Sequence, residues 1–274
     1  MRSMTVIILF FSASICFPAF SPLPAGARIN SMGLTSGIMR SDLFSPFINA
    51  AALGRTNGSG AAMHYTRLFG LNDLSQTSCA LNIRVPFGGL GLGGQRFGTQ
   101  SYMETCIHAG CGLVLIPALS VGIMSHLGQL AVGHETKNAW WLDTGFIYGL
   151  SDHLLIGFSV TNVNHYRITP DEPLPQQTRI SLCCCPADLL TCCLEWVKEV
   201  RFPLEIRGGI EYCLPFIAVR AGFTDEPGRM TFGTGISLGS CRFDYALVNH
   251  SVLGNTHHVS IQIMLGALKS SPPP

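Results

Sequence analysis

Residues 201–268 constrain what this chain can fold into more than any other part of it. They read as RFPLEIRGGIEYCL, FIAVRAGF, MTFGTGISLG, RFDYALV and HHVSIQIMLG, short runs in which apolar residues alternate with polar or tiny ones. Turn-formers stand at the joins: Leu214-Pro215, Asp225-Glu226-Pro227-Gly228, Gly239-Ser240 and the stretch 249–255. Period-two alternation sends successive side chains to opposite faces of a strand. One face collects Ile206, Ile210, Tyr212, Ile217, Val219, Phe223, Phe243, Tyr245, Leu247, Val259, Ile261 and Ile263. The other collects Glu205, Arg207, Glu211, Arg220, Arg242, Asp244 and Gln262, with glycines between them. One face is greasy and the other is charged.

Two architectures satisfy that split. In a soluble sandwich the greasy face is the core. In a transmembrane antiparallel β-barrel it meets lipid, and the charged face lines the lumen. Composition favours the barrel: 47% of the 274 residues are hydrophobic, only 12% are charged, and mean hydropathy is positive. A net charge of +1 leaves no basic stripe to neutralise phosphates, which excludes nucleic acid as a partner. A helical membrane bundle is disfavoured by the thirty glycines, and its best span, residues 111–132, is split by Pro117. Two strands joined at Pro117 fit that stretch better.

The N-terminal side supplies the rest of the layout. Residues 1–25 read as a signal peptide, with Arg2 before an apolar run and small residues after it, so the expectation is export. Residues 26–59 show no alternation and are read as an irregular, plug-like segment with one helical turn near 47–53. Strand-like runs follow at 61–69, 76–85, 90–97, 102–115, 118–132, 139–150, 153–163, 179–185 and 189–197. A polar loop lies at 164–177. With the five terminal runs the count is about 14 strands, forming a barrel over residues 60–268, and residues 269–274 are a disordered tail. Trp140, Trp141, Tyr148, Phe158, Tyr166 and Tyr245 are placed as interfacial aromatics.

Several stretches also carry a resemblance. Gly26-Ala27-Arg28, Met32-Gly33, Asp42 and the NAAAL run at 49–53 resemble the start of mature outer-membrane proteins of the FadL-like class, closest to its PorV/PorQ-type branch. LGLGGQRFGTQSYMET, GGIEYCLPFIAVRAGF and RFDYALVNHSVLGNTHHVSI fit the same pattern. Two departures are Ala50, where the family has proline after the asparagine, and the KSSPPP tail, where an aromatic usually closes the last strand. The resemblance implies a bacterial outer-membrane β-barrel in transport of hydrophobic compounds or in type IX-like protein secretion. Its partners would be the lipid bilayer and either hydrophobic small molecules or secretion-system proteins. The alternatives are a lipid-acting barrel enzyme and a purely structural outer-membrane protein.

Candidate sites are few. Glu205, Arg207, Glu211, Arg220, Arg242 and Asp244 are expected to form a lumen charge ladder, since charges in a narrow interior must pair across strands. Within LCCCPADLLTCCLEW, a turn at 186–189 sets Cys183 opposite Cys192, which allows a disulfide there under oxidising conditions and free thiols otherwise. Cys183, Cys184 and Cys185 alternate across a strand and cannot converge on one ion, so no metal and no cofactor is expected. His257 and His258 point to opposite faces, while His64, His108, His126 and His134 are scattered singly. No nucleophile-elbow pattern is present, and the expectation is of a protein that is not an enzyme.

Overall fold

Strands form where the alternation lies, and they close on themselves. The computed structural model describes residues 19–35, 38–39 and 42–265. Seven strands fill the first half of the wall: β1 (Ser59–Arg67), β2 (Ser75–Val85), β3 (Gly88–Gly98), β4 (Tyr102–Ile116), β5 (Leu119–Val132), β6 (Glu135–Ser151) and β7 (Leu154–Val160). A small hairpin, β8 (Arg167–Thr169) and β9 (Glu172–Pro173), stands apart from it. The wall continues with β10 (Gln177–Ala187), β11 (Leu190–Glu199), β12 (Leu204–Cys213), β13 (Ile217–Thr224), β14 (Arg229–Leu238), β15 (Cys241–His250) and β16 (Gly254–Leu265).

Every wall strand pairs antiparallel with its sequence neighbour, and β16 returns to pair with β1 from Ser59↔Leu265 to Arg67↔His257. The result is a closed 14-stranded antiparallel barrel. Closure satisfies every ladder hydrogen bond and leaves no sheet edge, which hydrocarbon would not tolerate. Among the described residues no helix is long and apolar enough to cross a membrane; the crossing is done by strands.

The two faces follow the alternation. Outward stand Met63, Leu92, Ile107, Leu127, Phe232 and Phe243, all exposed and all apolar. An apolar surface of that extent is stable against lipid rather than water. Trp140, Tyr148 and Tyr245 join that outer face, and Phe158 stacks on Phe146 at 5.5 Å. Trp141 and Tyr166 do not belong to it. Trp141 is buried inside the barrel and Tyr166 packs against it from the loop side, because neighbours on one strand must face opposite ways and Trp140 already faces out.

Inside, the core is the N-terminal segment packed on the inner wall. Helix α1 (Ala27–Ser31) and 3-10 turns at Ser45–Phe47 and Ala50–Arg55 fill the lumen. Ala27, Ile29, Met32, Phe44 and Leu53 are fully enclosed. Burying each of the larger four contributes about 1.5–3 kcal/mol. The short α1 was not expected from sequence. The helical turn expected near 47–53 is present as 3-10 structure, with the Asn49 side chain accepting from the Ala51 N–H at 3.1 Å.

One pairing differs from expectation. Cys183 lies opposite Cys193, not Cys192, and is joined to it by a disulfide. Cys184 faces Cys192 on the outer side of the same hairpin. The register shifts between Cys184 and Ala187, where Pro186 has no N–H to give the ladder and the strand bulges. A one-residue bulge beside a two-residue turn moves every partner by one. The loop expected at 164–177 also carries the β8–β9 hairpin, turned at Pro170-Asp171, too short to show a period in sequence. The run at 1–18 of the expected signal peptide and the tail 269–274 lie outside the described residues.

Candidate functional site

The lumen holds the polar chemistry of the molecule, and the plug is the means by which much of it is satisfied. Alternation on β12, β13 and β15 turns Glu211, Arg220 and Asp244 inward, and all three are almost fully buried. Arg220 donates from Nε to Glu211 Oε2 and sits 2.9 Å from Asp244 Oδ1 through Nη1. Arg242 reaches both carboxylates, at 3.1 Å for Asp244 and 3.4 Å for Glu211. From the plug, Arg28 completes the set with a two-pronged contact on Glu211, through Nε at 2.9 Å and through Nη2. Its Nη1 stands 4.0 Å from Asp42. Three guanidinium groups thus face three carboxylates in a largely buried space, and this mutual pairing is the condition under which buried ions are tolerated.

Glu205 and Arg207 belong to a second group. Arg207 donates to Glu205 Oε2 at 2.7 Å and lies 3.7 Å from Glu195 Oε1, which Arg179 also approaches at 3.6 Å. Ser181 Oγ donates to the other Glu195 oxygen at 2.9 Å. Glu195 and Arg179 escaped the sequence reading. Their signal was present in the alternation of 179–185 and 189–197, which places both on the face opposite Leu194 and Trp196.

The plug is seated by backbone contact as well as by charge. Asn49 donates through Nδ2 to the carbonyls of Phe146 and Phe158, both at 3.2 Å, fastening the 3-10 turn to β6 and β7. Gly33 takes a positive φ of 65° and its N–H donates to Thr231 Oγ1 at 2.9 Å. The wall beneath it is glycine. A Cβ at Gly222 would overlap the Gly33 nitrogen, and one at Gly209 would overlap the Met32 carbonyl oxygen. Gly222→Val is therefore expected to lift residues 31–35 off the wall while the ladder survives. Hydrogen exchange at the Gly33 amide should rise at least tenfold with barrel amides unchanged; full protection there would show that the plug is not seated on these glycines.

On the β3–β7 side the lumen keeps a cavity of about 100 Å³. Phe20, Phe47, Phe97, Trp141 and Leu174 supply its apolar wall, and Glu104, Cys106, His108, His126, Asp143 and Arg179 its polar one. Phe20 packs on Trp141 with ring centroids 5.3 Å apart, so residues 19–25 enter the lumen. Cys106, His108 and His126 present ligand atoms within 4.8 Å of one another. That His108 meets His126 is a consequence of the hairpin at 117–118 and the bulge between Val114 and Ile116: each stands nine residues from Pro117 on the inward face. Counting outward from Pro117 would have found the pair in sequence. A second pair, His64 and His258, meets across β1 and β16 with Nε2 and Nδ1 3.2 Å apart.

Fold and lumen together define a plugged transmembrane β-barrel. No protein-family model matches the chain and no curated protein matches it. Among solved structures it is similar to the toluene transporter TbuX of Ralstonia pickettii, with a TM-score of 0.65 at 13% identity over 88% of this chain and 98% of that one. The toluene transporter TodX of Pseudomonas putida gives 0.65 at 10% identity, over 90% and 98% of the two chains. A FadL homologue of Pseudomonas aeruginosa gives 0.62 at 10% identity, over 90% and 99%. At such identities the likeness is one of fold, and the fold is that of the FadL-like barrels.

Proposed function

We propose that this chain is an outer-membrane barrel that passes hydrophobic small molecules through its lumen. The observation that carries this reading is the cavity walled by Phe47, Phe97, Trp141 and Leu174, set inside a barrel whose solved counterparts include toluene transporters. An enclosed aromatic wall stabilises an apolar guest by removing its surface from water, while the few polar groups beside it fix orientation. The end at which β1 begins and β16 ends has turns of two or three residues, and the opposite end carries the long connection 161–176. Short turns face the periplasm and long loops face outward in such barrels, so the cavity, near the β8–β9 hairpin, opens to the outer side.

The expected signal cleavage fits this reading. Removal of residues 1–25 would take Phe20 off Trp141 and lengthen the cavity along the plug. N-terminal sequencing of protein extracted from outer membranes checks the cleavage point.

The transport reading is tested with the barrel in liposomes and radiolabelled toluene as the probe. Phe97→Ala removes one aromatic wall contact worth about 0.5–1.5 kcal/mol. Saturable toluene entry should weaken about two- to tenfold. Entry equal to that of empty liposomes in a folded, heat-modifiable barrel would overturn the proposal. A role in secretion of the PorV/PorQ kind is the second reading, favoured by the way Ala27–Ser31, Ser45–Phe47 and Ala50–Arg55 occupy the lumen. It is distinguished by co-purification of secretion-system proteins with a barrel that admits no toluene.

A further inference from the structure

We propose that Cys106, His108 and His126 form a binding site for a borderline-soft divalent transition-metal ion of the Zn²⁺ kind, open at its fourth position to the lumen cavity. Cys106 and His108 stand two apart on β4 and face inward together, and His126 lies directly opposite His108 on β5. All three are buried. Two features set the group apart from an accidental cluster of polar side chains.

The first is the spacing of the donor atoms. His108 Nδ1 and His126 Nδ1 face each other at 2.6 Å, and Cys106 Sγ stands 3.5 Å from His108 Nδ1. Tetrahedral zinc, with bonds of about 2.0–2.1 Å to nitrogen and 2.3 Å to sulfur, requires about 3.3 Å between two nitrogens and about 3.6 Å between nitrogen and sulfur. The sulfur spacing is already met. The two rings need to part by about 0.7 Å, a small side-chain rotation.

The second is the support behind the ligands. His126 Nε2 stands 3.0 Å from Asp143 Oδ2, an ion-pair distance short of hydrogen-bond geometry, and Asp143 is itself held by the Asn162 N–H at 2.9 Å. A carboxylate behind a histidine fixes the ring and leaves the far nitrogen free to ligate, as is usual around protein-bound zinc. Trp141 stacks on His126 with the planes 3° apart, and the plug's Phe47 ring lies 4.9 Å from that of His108. Both imidazoles are therefore flanked by aromatic rings.

Charge also balances. On binding, the Cys106 thiol gives its proton to solvent, so the ion's two positive charges meet one thiolate and the nearby Asp143 carboxylate. The ion's charge is then matched at the site. The donor set of one sulfur and two imidazoles suits zinc, cobalt or copper and not the hard cations that need oxygen cages. The site lines the same cavity as the transport reading, but its test reads metal binding and does not depend on toluene entry.

The test uses the full barrel, folded in detergent and heat-modifiable, titrated with Co²⁺ as a spectroscopic probe and then with Zn²⁺. Binding of one Co²⁺ with tetrahedral d–d absorption and a thiolate-to-cobalt charge-transfer band is expected, both displaced by Zn²⁺. Cys106→Ser should abolish the charge-transfer band, whereas Cys111→Ser, on the outer face of the same strand, should keep it. Asp143→Asn should weaken Zn²⁺ binding about 10- to 100-fold without loss of the band. A folded wild-type barrel with no such band would overturn the proposal. A band that survives Cys106→Ser and disappears with Cys184→Ser or Cys192→Ser would overturn it too, by placing the ion in the outer cysteine group.

Discussion

Glu211→Gln is expected to destabilise the folded barrel by about 3–5 kcal/mol, the usual cost of removing one partner from a buried ionic group. Glu211 is the carboxylate on which Arg28, Arg220 and Arg242 converge, and it is 1% exposed. Glutamine keeps the volume and one acceptor oxygen but leaves three guanidinium groups facing two carboxylates. The nearest relief for the excess charge is expulsion of Arg28, which belongs to the plug, so loss of stability and loss of plug seating should appear together. Urea unfolding in lipid vesicles measures the first. Hydrogen exchange over Ala27–Ser31 measures the second. Arg28→Met should show the second with a smaller share of the first, because Glu211 then retains Arg220 and Arg242. A Glu211→Gln barrel as stable as wild type would mean that the ionic group contributes nothing net.

The strands, their number and their two faces were legible in sequence, because a lipid-facing wall imposes the same alternation on every strand. Each turn-former from Pro215 to Gly239 marks a true strand end. What could not be read were features set by one residue's local chemistry or by contacts between distant segments. Pro186 shifts the cysteine hairpin by one position, and a period-two pattern fixes the face of a residue but not its partner across a bulge. The plug has no period, so nothing local indicates that Arg28 would lie on Glu211, 183 positions away. The cavity is a third case. Cys106, His108, His126 and Asp143 come from three adjacent strands whose turns were all recognisable, so their convergence was there to be counted. A lone inward histidine carries no signal of its own; only the register of the three strands brings the four side chains together.

The face assignment itself has a strong consequence at two neighbouring residues of β16. Ile261 points outward between Met63 of β1 and Phe243 of β15, whereas Gln262 is buried in the lumen beside Arg242, its Oε1 accepting from the plug's Leu43 N–H at 3.2 Å. Arginine at 261 must sit in hydrocarbon, which costs about 2–4 kcal/mol near the bilayer midplane. Arginine at 262 meets no lipid; it removes the acceptor for Leu43 and sets a fourth cation beside Arg28, Arg220 and Arg242. The two variants should therefore fail differently. Ile261→Arg should fold poorly into lipid vesicles with a lowered urea midpoint, and what does fold should keep its plug protected. Gln262→Arg should insert at near wild-type yield while exchange at the Leu43 amide rises. Micelles adapt to a charge more readily than a bilayer does, so the Ile261→Arg defect should shrink in detergent and the Gln262→Arg defect should persist. Insertion defects of equal size in lipid, undiminished in detergent, would reverse the two faces of the wall and with them the placement of every charged residue in the lumen.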